Sequence, residues 1–314
     1  MESEPLMTIN NRSQPKMALE YKSFSKALGE TVKTGIIKSN LIAVFTGLCM
    51  ALYVYDASIP GNLLSIIFSL IGSSFVIGAA GAFNNLFDRD IDAIMERTKT
   101  RPTVTGQVDT RTGLLLGILL TAAGTGLLLL ASPMAAFFAL LGLFLYMVPY
   151  TMWTKRRTVY NTEVGSISGA VPPLIGWSVI SHDYTHPGIW ALVVTMILWQ
   201  MPHFYGIAIR RFDEYKAAGV PMLPVVKGIE RTYLQTNIYL IMLAASSFLF
   251  WPFSPIVAGI VFIINMTWLI LSFTSFNKAE PKIWSHKMFM FSIQHIVMVY
   301  FIIIVFSFIA KALK

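Results

Sequence analysis

Long apolar runs alternate with short polar breaks along almost the whole chain, and the breaks themselves alternate in character. About nine runs are long enough to cross a bilayer, or nearly so. They lie near residues 36–55, 63–83, 113–130, 134–150, 164–181, 188–209, 234–250, 256–276 and 288–310. Every second break is short and holds no Lys or Arg: those around 56–62, 132–133, 181–187 and 251–255. The others are longer and basic. Together with residues 1–38 they hold 22 of the 24 Lys and Arg, leaving only Lys311 and Lys314 at the tail. The pattern predicts an all-α, polytopic membrane bundle with its amino terminus and four basic loops in the cytoplasm. Residues 1–35 read as a polar cytoplasmic segment and 36–310 as one transmembrane domain. The first 35 residues lack the short apolar core and cleavage site of a signal peptide, so the first span is expected to stay in the mature protein.

Composition agrees and narrows the classes. The 314 residues are 55% hydrophobic and 13% charged, with a mean hydropathy of +0.64, which excludes a soluble globular domain. The net charge of +8 is spread over several loops. It therefore reads as a topology signal and not as a nucleic-acid surface. The single Cys49 lies inside the first apolar run, which excludes a disulfide framework and a cysteine-based metal site and marks it as a small core residue.

The chemistry concentrates where the second apolar run ends. Asn84, Asp88 and Asp92 stand at i, i+4 and i+8, which aligns an amide and two carboxylates on one helical stripe, climbing about 6 Å per step. Two carboxylates about 6 Å apart repel by roughly 3 kcal/mol at an effective dielectric of about 20. A cation between them removes that cost. Hard oxygen donors of this kind suit Mg²⁺, which takes one or two carboxylates and completes its shell with substrate phosphate oxygens. Arg97, Lys99 and Arg101 follow at once and would hold the same phosphates. The plainer reading is a helix end whose solvated acids pair with nearby bases; alignment, membrane edge and trailing bases favour a diphosphate site.

Later loops extend the picture. Lys155, Arg156 and Arg157 form a basic run, with Asn161 just before a helix rich in small residues. On the sixth run, Trp199, His203, Ile207, Arg210 and Glu214 share a face. His203 lies about 15 Å of helix rise inside Asp213, follows Pro202, and reads either as an interhelical hydrogen-bond donor or as an iron ligand or proton-transfer group. There is also an internal echo. Phe87-Asp88 leads to Arg101-Pro102-Thr103-Val104-Thr105-Gly106, and Phe212-Asp213 leads to Leu223-Pro224-Val225-Val226-Lys227-Gly228. A duplicated four-helix unit produces such a pattern; so does coincidence between two Pro/Gly loops.

These residues carry a resemblance. Asn84-Asn85-Leu86-Phe87-Asp88-Arg89-Asp90-Ile91-Asp92 is similar to the first Asp-rich motif of the intramembrane UbiA-type prenyltransferase superfamily. Three longer stretches, 150–158, 169–177 and 199–204 continuing to 216–224, resemble its haem-modifying branch, the protohaem IX farnesyltransferases or haem O synthases. The similarity runs from about residue 36 to 305. It implies nine transmembrane helices around a central cavity. It also implies Mg²⁺-dependent transfer of a farnesyl group from farnesyl diphosphate to a vinyl group of haem B, with water addition, giving haem O for haem-copper oxidases. Asn84, Asp88, Asp92 and His203 are then expected to be catalytic, with Mg²⁺ on Asp88 and Asp92. Arg97, Lys99, Arg101, Lys155, Arg210 and Lys216 are expected on the diphosphate. Trp199, His203, Ile207 and Asn161 are expected to line the prenyl and acceptor cavity. Many relatives carry a second pair of aspartates on the sixth helix, where this chain has Arg211 and Tyr215; Asp213 or Glu214 could still supply one metal ligand. The expected partners are the two substrates and the lipid of the cell membrane, with a haem-oxidase enzyme left open. Competing readings are a prenyltransferase for an aromatic or quinone precursor, a transporter, and a haem-binding subunit without activity.

Overall fold

A computed structural model describes residues 21–313. Residues 1–20 of the expected cytoplasmic segment lie outside that range. The described part of the segment is helical: α1 (Phe24–Thr31) is followed by a joint at Val32 and Lys33, then by α2 (Thr34–Val54). The chain continues through α3 (Ile59–Phe87), two short helices α4 (Arg89–Ile94) and α5 (Pro102–Thr105), α6 (Thr110–Ala131) and α7 (Pro133–Leu145). Next come α8 (Asn161–Gly169), α9 (Pro172–Ser178), α10 (Pro187–Arg210), α11 (Phe212–Ala217) and α12 (Leu223–Lys227). The last three are α13 (Ile229–Ser246), α14 (Pro255–Ser275) and α15 (Pro281–Ala312).

Among the described residues eight helices are long and apolar enough to cross a membrane, so the protein is a multi-pass membrane protein. The fifth expected span, 164–181, is divided. α8 ends at Gly169, and α9 begins at Pro172-Pro173, whose missing N–H groups cannot continue the helical ladder. The whole of α9 is buried, and it presses on α2 at two glycines. A Cβ on Gly176 would lie 1.8 Å from the Val44 carbonyl oxygen, and one on Gly47 would lie 2.1 Å from that of Pro173. Only glycine permits that approach.

Three of the short turns that lack Lys and Arg are helix caps. Ser58, Ser132 and Ser254 each accept a hydrogen bond from a first-turn N–H, and each helix they open carries proline at its start. Ser132-Pro133 and Ser254-Pro255, and Ser58 with Pro60 one residue later, therefore start α7, α14 and α3 without a long loop. At the opposite end α3 runs on. Its 29 residues span about 44 Å, more than the roughly 30 Å hydrocarbon core, and so carry Asn84 out to the membrane rim.

The internal echo is structural. α3 stops at Phe87, turns at Asp88 and resumes as the six-residue α4; α10 stops at Arg210, turns at Arg211 and resumes as the six-residue α11. Then α5 ends at Gly106 and α12 at Gly228, both with positive φ (81° and 82°) but with ψ of 3° and 170°, so the echo holds for the glycine position and not for the turn that follows. Asp88 therefore corresponds to Arg211 and Asp92 to Tyr215. The two loops meet: Ile91 and Met95 pack in one cluster with Ala208, Val220 and Met222.

Candidate active site

The site is built where α3, the first joint, the end of the fourth span and the α4–α5 loop converge. Asn84, Asp88 and Asp92 are all buried, at 2%, 1% and 4% exposure. They do not ride one straight helix. Asp88 ends α3 and starts α4 with φ −91° and ψ 8°. The i→i+4 ladder nevertheless persists, from Asp88 N–H to Asn84 O at 2.9 Å and from Asp92 N–H to Asp88 O at 2.7 Å, so the three side chains keep their alignment through the bend.

Each polar head meets a cation. Lys155 donates to Asp88 Oδ2, Arg101 to Asp92 Oδ2, and Lys33 to Asn84 Oδ1. Arg156 is shared: its Nη2 lies 3.8 Å from Asp88 Oδ1, and the guanidinium forks onto Asp90 at 2.6 and 2.7 Å. That fork holds the Asp90 carboxyl down at about 2. Asp88 Oδ1 is buried and has no hydrogen-bond partner. A carboxylate oxygen left bare beside a second carboxylate and an amide oxygen is a donor set for a hard divalent cation. Among the described residues no group of three or more His, Cys, Asp or Glu could hold a metal, so such an ion would complete its shell with the Asn84 amide oxygen, water or substrate oxygens.

The fourth span delivers Lys155 by an unusual route. After α7 the backbone widens into a π-helix over Tyr146–Trp153, with Pro149 inside it, and tightens into a 3₁₀ turn over Thr154–Arg156. Such widened turns are frequent at functional sites. Here the π-helix puts Thr151 Oγ1 3.1 Å from the Asn84 amide nitrogen, which donates to it. Tyr146 and Tyr150 stand 5.6 Å apart between ring centroids, within the field of Asp88. Across the site stands Tyr215, at the position corresponding to Asp92. Burial, with a further contribution from Tyr150, pushes its phenol up from the usual range.

Several expected residues lie elsewhere. Asp213 is exposed and faces Lys282 at 3.4 Å, whereas Glu214 accepts from Arg211 through Oε1 at 2.5 Å and keeps a buried Oε2 without a hydrogen-bond partner, so of the two single-ligand candidates the geometry favours Glu214. Lys216 is exposed on the same helix. Lys99 is exposed and pairs with Glu96 at 2.7 Å, while Arg97, also exposed, stays close enough to act on the Tyr215 phenol across the site. Arg210 lies over the Phe289 ring at 4.8 Å. Asn161 is buried, but its amide donates to the carbonyls of Thr158 (2.8 Å) and Pro221 (3.2 Å). It clamps the start of α8 to the second loop and is not free to line a cavity.

His203 faces α15. Its Nδ1 shares a 2.7 Å hydrogen bond with Ser292 Oγ, and its ring stacks on Trp199 at 4.6 Å and 20°. Phe289 closes the other side at 5.3 Å. Trp199 Nε1 donates to the Ser292 carbonyl. The interhelical bond is thus real, yet Nε2 has no partner among the described residues. Ile207 follows one turn nearer the rim and is half-buried.

Three residues at the site escaped the sequence reading. Lys33 is set by a backbone turn at φ 57° that no apolar pattern reveals. Burial, then repulsion from Arg101 and Lys155, lowers its amine from 10.5 to about 7. Thr151 needed the π-helix to reach Asn84. Asn85, beside the Asp-rich stripe, donates to the carbonyls of Glu30 and Thr31 at 3.0 and 2.9 Å, which fixes the end of α1 beside Lys33.

Comparison with known proteins bears on this arrangement. Residues 40–293 match the model of the UbiA prenyltransferase family. A "Protoheme IX farnesyltransferase" of Shouchella clausii (strain KSM-K16) is 57% identical over 300 residues, covering 96% of each chain. Among solved structures, a digeranylgeranylglyceryl phosphate synthase superposes with a TM-score of 0.70 at 17% identity, covering 90% of this chain and 98% of that one. A UbiA homolog from Archaeoglobus fulgidus bound to DMAPP and Mg²⁺ superposes with a TM-score of 0.62 at 14% identity, covering 88% and 99%. These two show a shared fold. The chain belongs to the UbiA prenyltransferase family, as a transferase of its protoheme IX farnesyltransferase branch.

Proposed function

We propose that the protein transfers the farnesyl group of farnesyl diphosphate to a vinyl group of haem B, with water addition, giving haem O and diphosphate. The observation that carries the diphosphate half is the buried Asn84/Asp88/Asp92 set ringed by Lys33, Arg101, Lys155 and Arg156. The relatives' names carry the acceptor.

Cleavage of the allylic C–O bond leaves an allylic cation and a diphosphate whose charge grows as the bond breaks. Lys33, Arg101 and Lys155 are placed to take up that charge in a site shielded from water. Asn84, Asp88 and Asp92 would hold Mg²⁺, which supplies Lewis-acid stabilisation of the leaving group when bound. Arg211 and Tyr215, where Asp88 and Asp92 have their counterparts, leave the second loop without an aspartate pair, so the reading takes Mg²⁺ on the first loop, with Glu214 Oε2 as the one carboxylate oxygen the second loop leaves free. The Tyr146, Tyr150 and Tyr215 rings offer faces that tolerate a nearby cation. His203 supports the acceptor side, through the Nε2 that Ser292 leaves unused. Positive-inside bias supports placing this rim in the cytoplasm of a cell-membrane protein.

The test is conversion of haem B by purified protein with farnesyl diphosphate and Mg²⁺. Asp88→Ala and Asp92→Ala are each expected to abolish haem O formation while membrane insertion and folding remain intact. Near-normal product from both variants at saturating Mg²⁺ would remove the metal role.

A further inference from the structure

Beyond Lys33, the region where α1 meets α2 carries chemistry that prenyl transfer does not use. α1 has two unlike sides. Ala27 and Thr31 are buried against the protein, whereas Phe24 is 83% exposed and Leu28 is exposed on the same stripe, extended by Tyr21 at 68%. Ser25 and Lys26 lie on the polar side, also exposed, and the Lys26 ammonium has no ion pair or hydrogen bond among the described residues. Between the two helices opens a cleft of about 440 Å³, lined by Ser25, Lys26, Glu30, Lys33 and Thr34 among others. Glu30 is already paired with Lys22 at 2.5 Å. The cleft is therefore basic and hydroxyl-bearing, and it adjoins an aromatic stripe.

The bilayer is next to it. Only Val32 and Lys33 separate α1 from α2, a membrane span. The exposed apolar surface of α2 resumes almost at once, with Ile36 at 46% and Ile42 at 43% exposure. An exposed aromatic stripe with lysines on the other face, continuous with lipid-facing surface, is the pattern of an interfacial helix. Its basic fringe complements an anionic leaflet.

We propose that α1 is an interfacial membrane anchor. Tyr21, Phe24 and Leu28 lie at the headgroup–acyl boundary, and the cleft takes the headgroup of an anionic phospholipid on Lys26, Ser25 and Thr34. The consequence reaches the site. α1 is tied to the Asp-bearing loop by Asn85, by Lys22 N–H to Gln107 Oε1 (3.1 Å), and by Gln107 Nε2 to Lys22 O (2.5 Å). The joint that follows α1 carries Lys33 to Asn84. The leaflet thus sets the placement of a site cation.

The full chain with Cys49→Ala has no other cysteine, so one nitroxide can be placed at Phe24→Cys or Ser25→Cys, both exposed. In phosphatidylcholine nanodiscs, collisions with oxygen relative to a water-soluble nickel reagent should be severalfold higher at 24 than at 25. Equal ratios would overturn the anchor. Adding phosphatidylglycerol should raise the ratio at 24, and Lys26→Glu should cancel that rise. No response to phosphatidylglycerol would overturn the headgroup assignment. So would an equal rise from inorganic phosphate in lipid-neutral discs, which would make the cleft a site for free anions. The readout involves no catalysis and stands apart from the acceptor and donor assignments.

Discussion

Lys155 and Asp88 are a pair whose removal separates folding from catalysis. Their side chains are 17% and 1% exposed, so Lys155→Met strands a buried carboxylate. Breaking a buried pair by removing one partner typically costs about 3–5 kcal/mol. Arg156 Nη2, 3.8 Å from Asp88 Oδ1, offsets part of this, and the expected loss is about 2–4 kcal/mol. The control is Lys99→Met. Lys99 and Glu96 are 48% and 73% exposed, and an exposed pair contributes about 0.2–1 kcal/mol. The double variant Lys155→Met/Asp88→Asn removes both charges with little change of volume and should recover most of the lost stability. It should not recover turnover: Lys155→Met alone is expected to lower it about 10²–10³-fold, as when one stabilising donor is lost from a charge-developing site, and Asp88→Asn removes the metal-binding carboxylate besides. Reversible unfolding in mixed micelles measures the first effect, and haem O formation the second. Equal stability losses for Lys155→Met and Lys99→Met, or a double variant no more stable than the single one, would refute the buried-pair reasoning.

Other consequences are as direct. Lys33, lowered to about 7 by burial and its cationic neighbours, is mostly neutral above that pH in the free protein. An incoming diphosphate restores its charge, so binding should take up a proton between about pH 7 and 10.5 and none well below 7. Calorimetry in buffers of different ionisation enthalpy reads this, and Lys33→Met should abolish it. Gly176→Ala places a methyl 1.8 Å from the Val44 carbonyl oxygen and should destabilise the fold by 3 kcal/mol or more, at or above the usual overpacking range of about 1–3, seen as lost monodisperse protein. His203→Ala should weaken haem B affinity about tenfold, equivalent to about 1.4 kcal/mol, with farnesyl diphosphate affinity unchanged; unaltered haem affinity and turnover would leave only the Ser292 bond as its role.

Apolar periodicity made the bundle legible, because lipid imposes length on each span. The fifth span was readable as apolar but not as broken: Pro172-Pro173 is a visible signal, outweighed in a window average by its apolar neighbours. Spacing located Asn84, Asp88 and Asp92, since the i+4 ladder survives the bend at Asp88. Residue type alone overreached at Asp213 and Lys216, which share a loop with the site yet sit on the outer side of α11. The correspondence of Asp88 with Arg211 depends on where each helix bends, which the Phe-Asp echo misplaced by two residues. Lys33 and Thr151 depend on a positive φ and a π-helix, neither of which leaves a periodic mark.

The acceptor is the part of the account that one measurement tests most directly. Purified protein in nanodiscs, given farnesyl diphosphate, Mg²⁺, haem B and an equimolar aromatic-acid or quinone-precursor acceptor, is analysed for products by mass spectrometry. The account predicts a haem carrying one farnesyl group and one added water, dependent on Mg²⁺ and absent with Asp88→Ala. Unmodified haem B beside a prenylated aromatic product would contradict it.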